Sequence, residues 1–65
     1  MKITVNGTPH EVAADRLHDV LAELGYGDAR VATAVNESFV PSGLRATQML
    51  EPGDRLEILA PMQGG

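Results

Sequence analysis

Asn6 and Gly7 are the feature of the sequence that most restricts its fold. An Asn-Gly pair readily adopts positive φ at both central positions of a type I′ turn, which joins two antiparallel strands. Apolar and polar residues alternate over residues 2–6, the period of a strand with one face in a core. The chain therefore predicts an opening hairpin with a second strand at about residues 8–12. Pro9 predicts that this second strand lies at a sheet edge, because proline cannot donate a ladder hydrogen bond.

A single amphipathic helix is predicted over about residues 16–24. Asp15 is the expected N-cap. Gly25 is expected to end the helix in a left-handed conformation, with Tyr26 packing back on the last turn. The apolar stripe that should face the sheet follows the i, i+3, i+4, i+7 spacing and consists of Leu17, Val20, Leu21 and Leu24.

The second half of the chain predicts a second hairpin and a final strand. A β-rich run at 31–35 and a short return at 38–40 flank a turn at Asn36 and Glu37. An irregular connection from Pro41 to Leu50 and a turn at 52–54 should then lead into a last strand at 55–59. This order, ββαβββ, predicts an α+β protein of the β-grasp (ubiquitin-like) class, with a mixed four- or five-stranded sheet on one helix. We expect one domain, 1–65, in which 60–65 form an exposed, flexible C-terminal tail.

Composition excludes several functional classes. The chain has 65 residues and no cysteine, so neither a disulfide nor a thiolate zinc site can stabilise the domain. Nine acidic residues outnumber five scattered basic ones, which argues against binding nucleic acid. No apolar run approaches the roughly 20 residues of a membrane span. A cytoplasmic protein with no membrane contact is the resulting expectation.

The polar residues of the sequence form no recognisable catalytic or metal-binding motif. His10 and His18 are separated by a predicted strand-to-helix connection, without the further ligands that a metal site needs. Asp15, Asp19 and Glu23 follow i+4 steps on the helix and are interpreted as an N-cap and solvated charges. We therefore expect no metal, no bound cofactor and no active site of the chain's own.

Four segments together resemble a known family. They are MKITVNG at the start, AVNESFVP at 34–41, EPGDRLEIL at 51–59 and the closing QGG. In this order, in so short a chain, they are similar to the thiamine-biosynthesis sulfur carrier family ThiS. The family often has Arg after the Pro of the second segment and Trp three residues later. Here Ser42 and Arg45 stand at those positions, which leaves their effect on partner choice open.

The resemblance implies a carrier that is a protein cosubstrate and not an enzyme. The α-carboxylate of Gly65 would be adenylated by an E1-like enzyme of the ThiF type, which uses ATP. A sulfur donor protein would then supply the sulfur of a thiocarboxylate, 1-thioglycine, for consumption by a thiazole synthase of the ThiG type. The resemblance also implies that Met62, Gln63 and Gly64 thread into the partner. Met62 is either an apolar anchor there or an exposed residue with no role.

Elementary chemistry supports a reactive chain end. A carboxylate is a poor electrophile, and joining it to AMP supplies a stabilised leaving group. Glycine enters narrow passages because it has no Cβ, and residues 60–65 reach roughly 20 Å when extended. Leu59 and Ala60 are candidates for an apolar partner interface, but for Leu59 we favour burial within the domain.

Three other functions remain open from the sequence. A related carrier for molybdopterin or another sulfur-containing metabolite shares the tail chemistry. A ubiquitin-like modifier would instead join Gly65 to lysines of target proteins, and a noncovalent β-grasp module would not use the glycines at all.

Overall fold

A computed structural model describes residues 1–27 and 29–60 of the chain. It contains five strands, one α-helix and one 3-10 helix. In chain order the elements are β1 (Lys2–Val5), β2 (Thr8–Glu11), α1 (Leu17–Glu23), β3 (Ala32–Val35), β4 (Ser38–Val40), the 3-10 helix (Ser42–Leu44) and β5 (Arg55–Leu59).

The strands form one mixed sheet in the order β2-β1-β5-β3-β4. Within each hairpin, β1 with β2 and β3 with β4, the strands are antiparallel. The last strand, β5, lies between the hairpins, parallel to β1 and antiparallel to β3. This five-stranded sheet with one helix confirms the predicted β-grasp fold, and it places the C-terminal strand at the centre of the sheet.

Both predicted hairpin turns are present. Asn6 and Gly7 have φ values of 51° and 84°, and Asn36 and Glu37 have φ values of 50° and 72°. Positive φ at both central positions is the requirement of a type I′ turn. Pro9 lies in β2, which is an edge strand as expected.

Helix α1 is one residue shorter at each end than predicted, and its N-terminus differs from the prediction. The N-cap position is Arg16, which makes no side-chain cap hydrogen bond. The first amides instead donate to distant main-chain carbonyls, Leu17 to Gln48 at 2.8 Å and His18 to Arg45 at 3.1 Å. The prediction of Asp15 as N-cap is therefore wrong, because the connection after the 3-10 helix already satisfies these donors.

The C-terminus of α1 is as predicted. Gly25 has a φ of 93°, and its N–H donates to the Ala22 carbonyl at 3.1 Å. The Tyr26 N–H donates to the Leu21 carbonyl at 2.7 Å, which completes a Schellman motif. Tyr26 is half-buried against the core.

The connection at residues 41–50 is more regular than expected. It contains the 3-10 helix, and Met49 forms an isolated antiparallel bridge with Arg16. The Leu50 N–H then donates to the Asp15 carbonyl at 2.7 Å. The connection is thus bonded along the start of α1, and the prediction of an irregular segment needs this correction.

One face of the sheet packs on α1 and forms the core. Alternation along β5 buries Leu56 and Ile58 and leaves Arg55, Glu57 and Leu59 exposed. Among the described elements none covers the other side of the sheet, which we call the outer face. The buried apolar residues are Ile3, Val5, Val12, Leu17, Val20, Leu21, Val35, Val40, Leu50, Leu56 and Ile58.

Candidate functional site

The predicted reactive end lies outside the described residues. Ala60 is the last residue that the structure describes, and 61–65 follow it. The predictions for Met62, Gln63, Gly64 and Gly65 therefore stay predictions. The described part of the site is the base of the tail, where β5 ends.

The Asn6 side chain holds the end of β5. Its Nδ2 donates to the Ile58 carbonyl at 3.1 Å, and its Oδ1 accepts from the Ile58 N–H at 2.8 Å. The main-chain register between β1 and β5 runs only to Val5. Asn6 thus extends the pairing by one step through its side chain, just before the tail. The sequence predicts only the turn role of Asn6, because the contact between Asn6 and Ile58 spans 52 residues.

The Asn36 side chain holds the other end of β5. Its Oδ1 accepts from the Arg55 N–H at 2.9 Å, and its Nδ2 donates to Oδ1 of Asp54 at 3.0 Å. An exposed ion pair joins Arg55 to Glu37 at 3.3 Å. The strand that leads into the tail is therefore fixed at both ends by asparagines of the two hairpin turns.

An apolar patch lies on the outer face near the end of β5. Leu59 and Phe39 are 67% and 68% exposed, which is unusual for large apolar side chains. Together with Ala32 and Ala34 they line a shallow depression of about 110 Å³. We call these four residues the outer apolar patch. The favoured prediction that Leu59 is buried within the domain is wrong, because Leu56 and Ile58 take the core-facing positions of β5.

A larger concavity lies next to this patch, and we call it the tail-base cleft. It has a volume of about 570 Å³, within the range of ligand-binding pockets. Its walls come from the segment before and at the start of β3, the connection that begins at the 3-10 helix, and the end of β5. The residues are Ala29, Arg30, Val31, Ala32, Ser42, Arg45, Leu59 and Ala60.

Arg45 fixes one wall of the tail-base cleft. Its Nη2 donates to the Val31 carbonyl and its Nε donates to Oγ1 of Thr33 at 3.1 Å. Oγ1 of Thr33 donates in turn to the Val40 carbonyl at 2.9 Å, so this buried hydroxyl is satisfied. Arg45 therefore ties the 41–50 connection to β3, while Ser42 is an exposed residue of the cleft.

Glu23 has a structural role that the sequence did not indicate. Its carboxylate accepts hydrogen bonds from the main-chain N–H groups of Ala13, at 2.9 and 3.1 Å, and of Ala14, at 3.0 Å. These bonds favour the charged form and lower the pKa of Glu23 from its ordinary value of 4.5. The interpretation of Glu23 as a merely solvated charge is wrong, because the carboxylate fastens the β2–α1 connection to the end of the helix.

Residues 1–27 and 29–60 contain no group of three His, Cys, Asp or Glu side chains that could hold a metal ion. Within the same residues, no helix is long and apolar enough to cross a membrane.

Comparison with known proteins connects this fold to one family. The model of the ThiS family matches residues 3–65 and so includes both terminal glycines. The crystal structure of the thiamine biosynthesis protein ThiS from Geobacter metallireducens superposes with a TM-score of 0.83 at 28% identity, covering all of both chains. A solution structure of a thiamine biosynthesis protein from the same organism gives 0.78 at 26% identity, over 100% of this chain and 88% of that one.

A thiazole synthase from Magnetococcus marinus is 33% identical over 66 residues. The alignment covers this whole chain but only 20% of that protein, so the chain spans about a fifth of the length of this curated relative. The family match over 63 of 65 residues (3–65) and the superposition of the complete fold agree with one another. The chain therefore belongs to the ThiS family.

Proposed function

We propose that this chain is the sulfur carrier of thiazole formation in thiamine biosynthesis. Its terminal Gly65 carboxylate is the group that is activated, sulfurated and consumed. The body of the domain presents the tail and supplies no catalytic group of its own. The family match, which extends through Gly65, supports this proposal.

The single observation that carries the proposal is the position of β5. The central strand of the sheet ends at Leu59 and continues directly into the tail. Asn6 and Asn36 fix this strand at its two ends. A rigid base with roughly 20 Å of extended chain beyond it delivers a carboxylate into a partner while the domain stays outside.

The chemistry divides into two steps at one carbon atom. The Gly65 carboxylate attacks the α-phosphorus of ATP and displaces pyrophosphate, which gives an acyl adenylate. The terminal sulfur of a donor persulfide then attacks the acyl carbon and expels AMP, which gives an acyl disulfide. A second thiol attacks the donor-side sulfur of this S–S bond, so that the thiocarboxylate leaves and the donor and the second thiol are oxidised to a disulfide. Adenylation converts a poor leaving group into a good one, so the difficult substitution becomes two easier steps.

Three partners follow from this chemistry: an E1-like adenylating enzyme of the ThiF type, a sulfur donor protein, and a thiazole synthase of the ThiG type. Similarity of the chain to part of a thiazole synthase supports the last of these. The outer apolar patch is the surface we assign to partner docking, because Phe39 and Leu59 are exposed near the end of β5. Burying such side chains against a partner favours association.

The proposal is tested by incubating the chain with ATP, its cognate adenylating enzyme and a sulfur donor, followed by intact-mass measurement. Replacement of one oxygen by sulfur at the C-terminal residue is the expected result. Conjugates to lysines of other proteins would identify a ubiquitin-like modifier instead. An unchanged mass with a demonstrably active enzyme would refute both functions.

The position of the reactive carboxylate is tested by adding one alanine after Gly65. We expect adenylation to be abolished while the circular dichroism spectrum and melting temperature stay unchanged. Lys2→Ala is the control, since it changes an exposed side chain of β1 and keeps the whole tail, and it should be adenylated like the wild type. Full activity of the extended chain would contradict the proposal.

The pathway is tested by comparing acceptors of the sulfur. The thiocarboxylate form is incubated with cognate thiazole synthase or with molybdopterin synthase components. We expect sulfur transfer with thiazole synthase only, and transfer confined to the molybdopterin system would assign the carrier to that pathway.

A further inference from the structure

The tail-base cleft has an unusual charge for this protein. Nine acidic residues outnumber five basic ones in the chain, yet two of the five, Arg30 and Arg45, line this one cleft. None of the described residues that line it is acidic. The remaining walls are largely aliphatic, from Ala29, Val31 and Leu59. The described lining of the cleft therefore combines aliphatic side chains with two guanidinium groups.

The Arg45 guanidinium is preorganised for an anion. Its Nε and one N–H of Nη2 are used by Thr33 and Val31, which holds the planar group in one orientation. Each of the two terminal nitrogens carries two N–H groups, and within residues 1–27 and 29–60 neither Nη1 nor the second N–H of Nη2 has a hydrogen-bond partner. Two parallel N–H groups of this kind match the oxygens of a carboxylate.

Resting on the proposed function, we infer that this cleft receives a segment of the adenylating enzyme that carries a carboxylate beside an apolar side chain. The carboxylate pairs with the guanidinium groups of Arg45 and Arg30. The apolar side chain packs against Val31 and Leu59. The cleft is continuous with the tail base through Leu59 and Ala60. An enzyme that encloses the tail must approach this surface, because the tail leaves the domain here.

Distance argues against the adenylate phosphate as the anion. Five residues separate Ala60 from the Gly65 carboxylate, and an extended chain of that length spans roughly 17 Å. The phosphate of the adenylate lies at the far end of this span when the tail is threaded. The anion that meets Arg45 is therefore a side chain of the partner.

The inference is tested by measuring the affinity of the chain for its cognate adenylating enzyme by isothermal titration calorimetry. Arg30→Glu removes a positive charge at an exposed position and adds a negative one. Lys2→Glu is the matched control, since it makes the same charge change at the far end of the sheet, where the Lys2 carbonyl accepts from the Gly53 N–H. We expect Arg30→Glu to weaken binding about tenfold or more and Lys2→Glu to stay within about twofold.

Arg45→Lys separates geometry from charge, because lysine keeps the charge and loses the fork of N–H groups. We expect its affinity to fall between those of the wild type and Arg30→Glu. Since Arg45 also bonds Val31 and Thr33, an NMR amide spectrum establishes that the variant is folded. Equal weakening by Lys2→Glu and Arg30→Glu, or no weakening by either cleft variant, would overturn the inference.

Three further outcomes are decisive. The first outcome concerns a titration with inorganic phosphate that is followed by NMR. Changes in the amide chemical shifts of residues 29–32 that saturate below about 1 mM phosphate would show a small-anion site and overturn the inference. Wild-type chain that gains no adenylate with an active enzyme would refute the proposed function and this inference together. Wild-type chain that is adenylated while Arg30→Glu binds normally would refute the inference alone.

Discussion

The contact between Asn6 and Ile58 can be divided experimentally into its hydrogen bonds and its turn. Asn6→Ala removes both side-chain bonds to the Ile58 main chain, at 2.8 and 3.1 Å. It also places a residue with a Cβ and no compensating side-chain bond at a φ of 51°. Asn6→Gly removes the same two bonds but tolerates positive φ. The difference between the two variants therefore isolates the backbone strain.

The expected losses in the free energy of unfolding follow from these two hydrogen bonds and from the positive φ. A hydrogen bond contributes about 0.5–1.5 kcal/mol net, so the pair contributes about 1–3 kcal/mol. A left-handed alanine adds about 1 kcal/mol. We expect Asn6→Gly to lose about 1–3 kcal/mol of the free energy of unfolding and Asn6→Ala to lose about 1 kcal/mol more. A domain of 65 residues has only about 3–10 kcal/mol in total.

The assay is urea denaturation followed by far-ultraviolet circular dichroism, because the chain has no tryptophan and one tyrosine. With an m-value near 1 kcal/mol/M, the midpoint should shift by about 1–3 M for Asn6→Gly. An Asn6→Gly variant within about 0.5 kcal/mol of wild type would refute the claim that the side chain supports β5. Asn6→Ala at least as stable as Asn6→Gly would refute the strain argument.

Four other substitutions test the core, the helix end and the outer face. Leu56→Ala removes a side chain that is 1% exposed and should cost about 2–5 kcal/mol, roughly half of the total stability, as measured by the same urea titration. Glu23→Gln tests the bonds to Ala13 and Ala14 by thermal melting at several pH values. Because the folded-state pKa of Glu23 lies below its ordinary value of 4.5, the carboxylate stabilises the fold above that pH, and this contribution is lost as pH falls through the lower folded pKa. Wild type should therefore melt above Glu23→Gln at neutral pH, and the two melting temperatures should converge as pH falls below 4.5 and through the lower folded pKa, whereas a constant difference would contradict the assignment. Phe39→Ser and Leu59→Ser should change stability by less than about 0.5 kcal/mol because both side chains are exposed, and should weaken binding to the adenylating enzyme about tenfold or more in calorimetry; unchanged binding would remove the outer apolar patch from the interface.

Local patterns in the sequence were sufficient to predict most of the fold. The hairpin turns and the Gly25 terminus depend on residues within a few positions of one another, and both are present. The N-terminus of α1 was mispredicted because its partners, the carbonyls of Arg45 and Gln48, are 27 and 31 residues away from the amides that donate to them. No short pattern encodes such a contact.

The candidate site was predictable only in part. The outward direction of Leu59 follows from period two once Leu56 and Ile58 are placed in the core, so the signal was present in the sequence. The Asn6 bonds to Ile58 and the convergence of Arg30 and Arg45 require the strand order β1-β5-β3 and the path of the 41–50 connection. Residue type alone does not reveal these long-range contacts.

The central position of β5 also decides how the domain responds to mechanical load. Traction applied at Ala60 along the strand axis acts in shear on the parallel ladder with β1 and the antiparallel ladder with β3. In this direction the interstrand bonds resist together, whereas an edge strand peeled sideways would release them one at a time. A partner enzyme that pulls on the tail along this axis can therefore apply force without unfolding the domain.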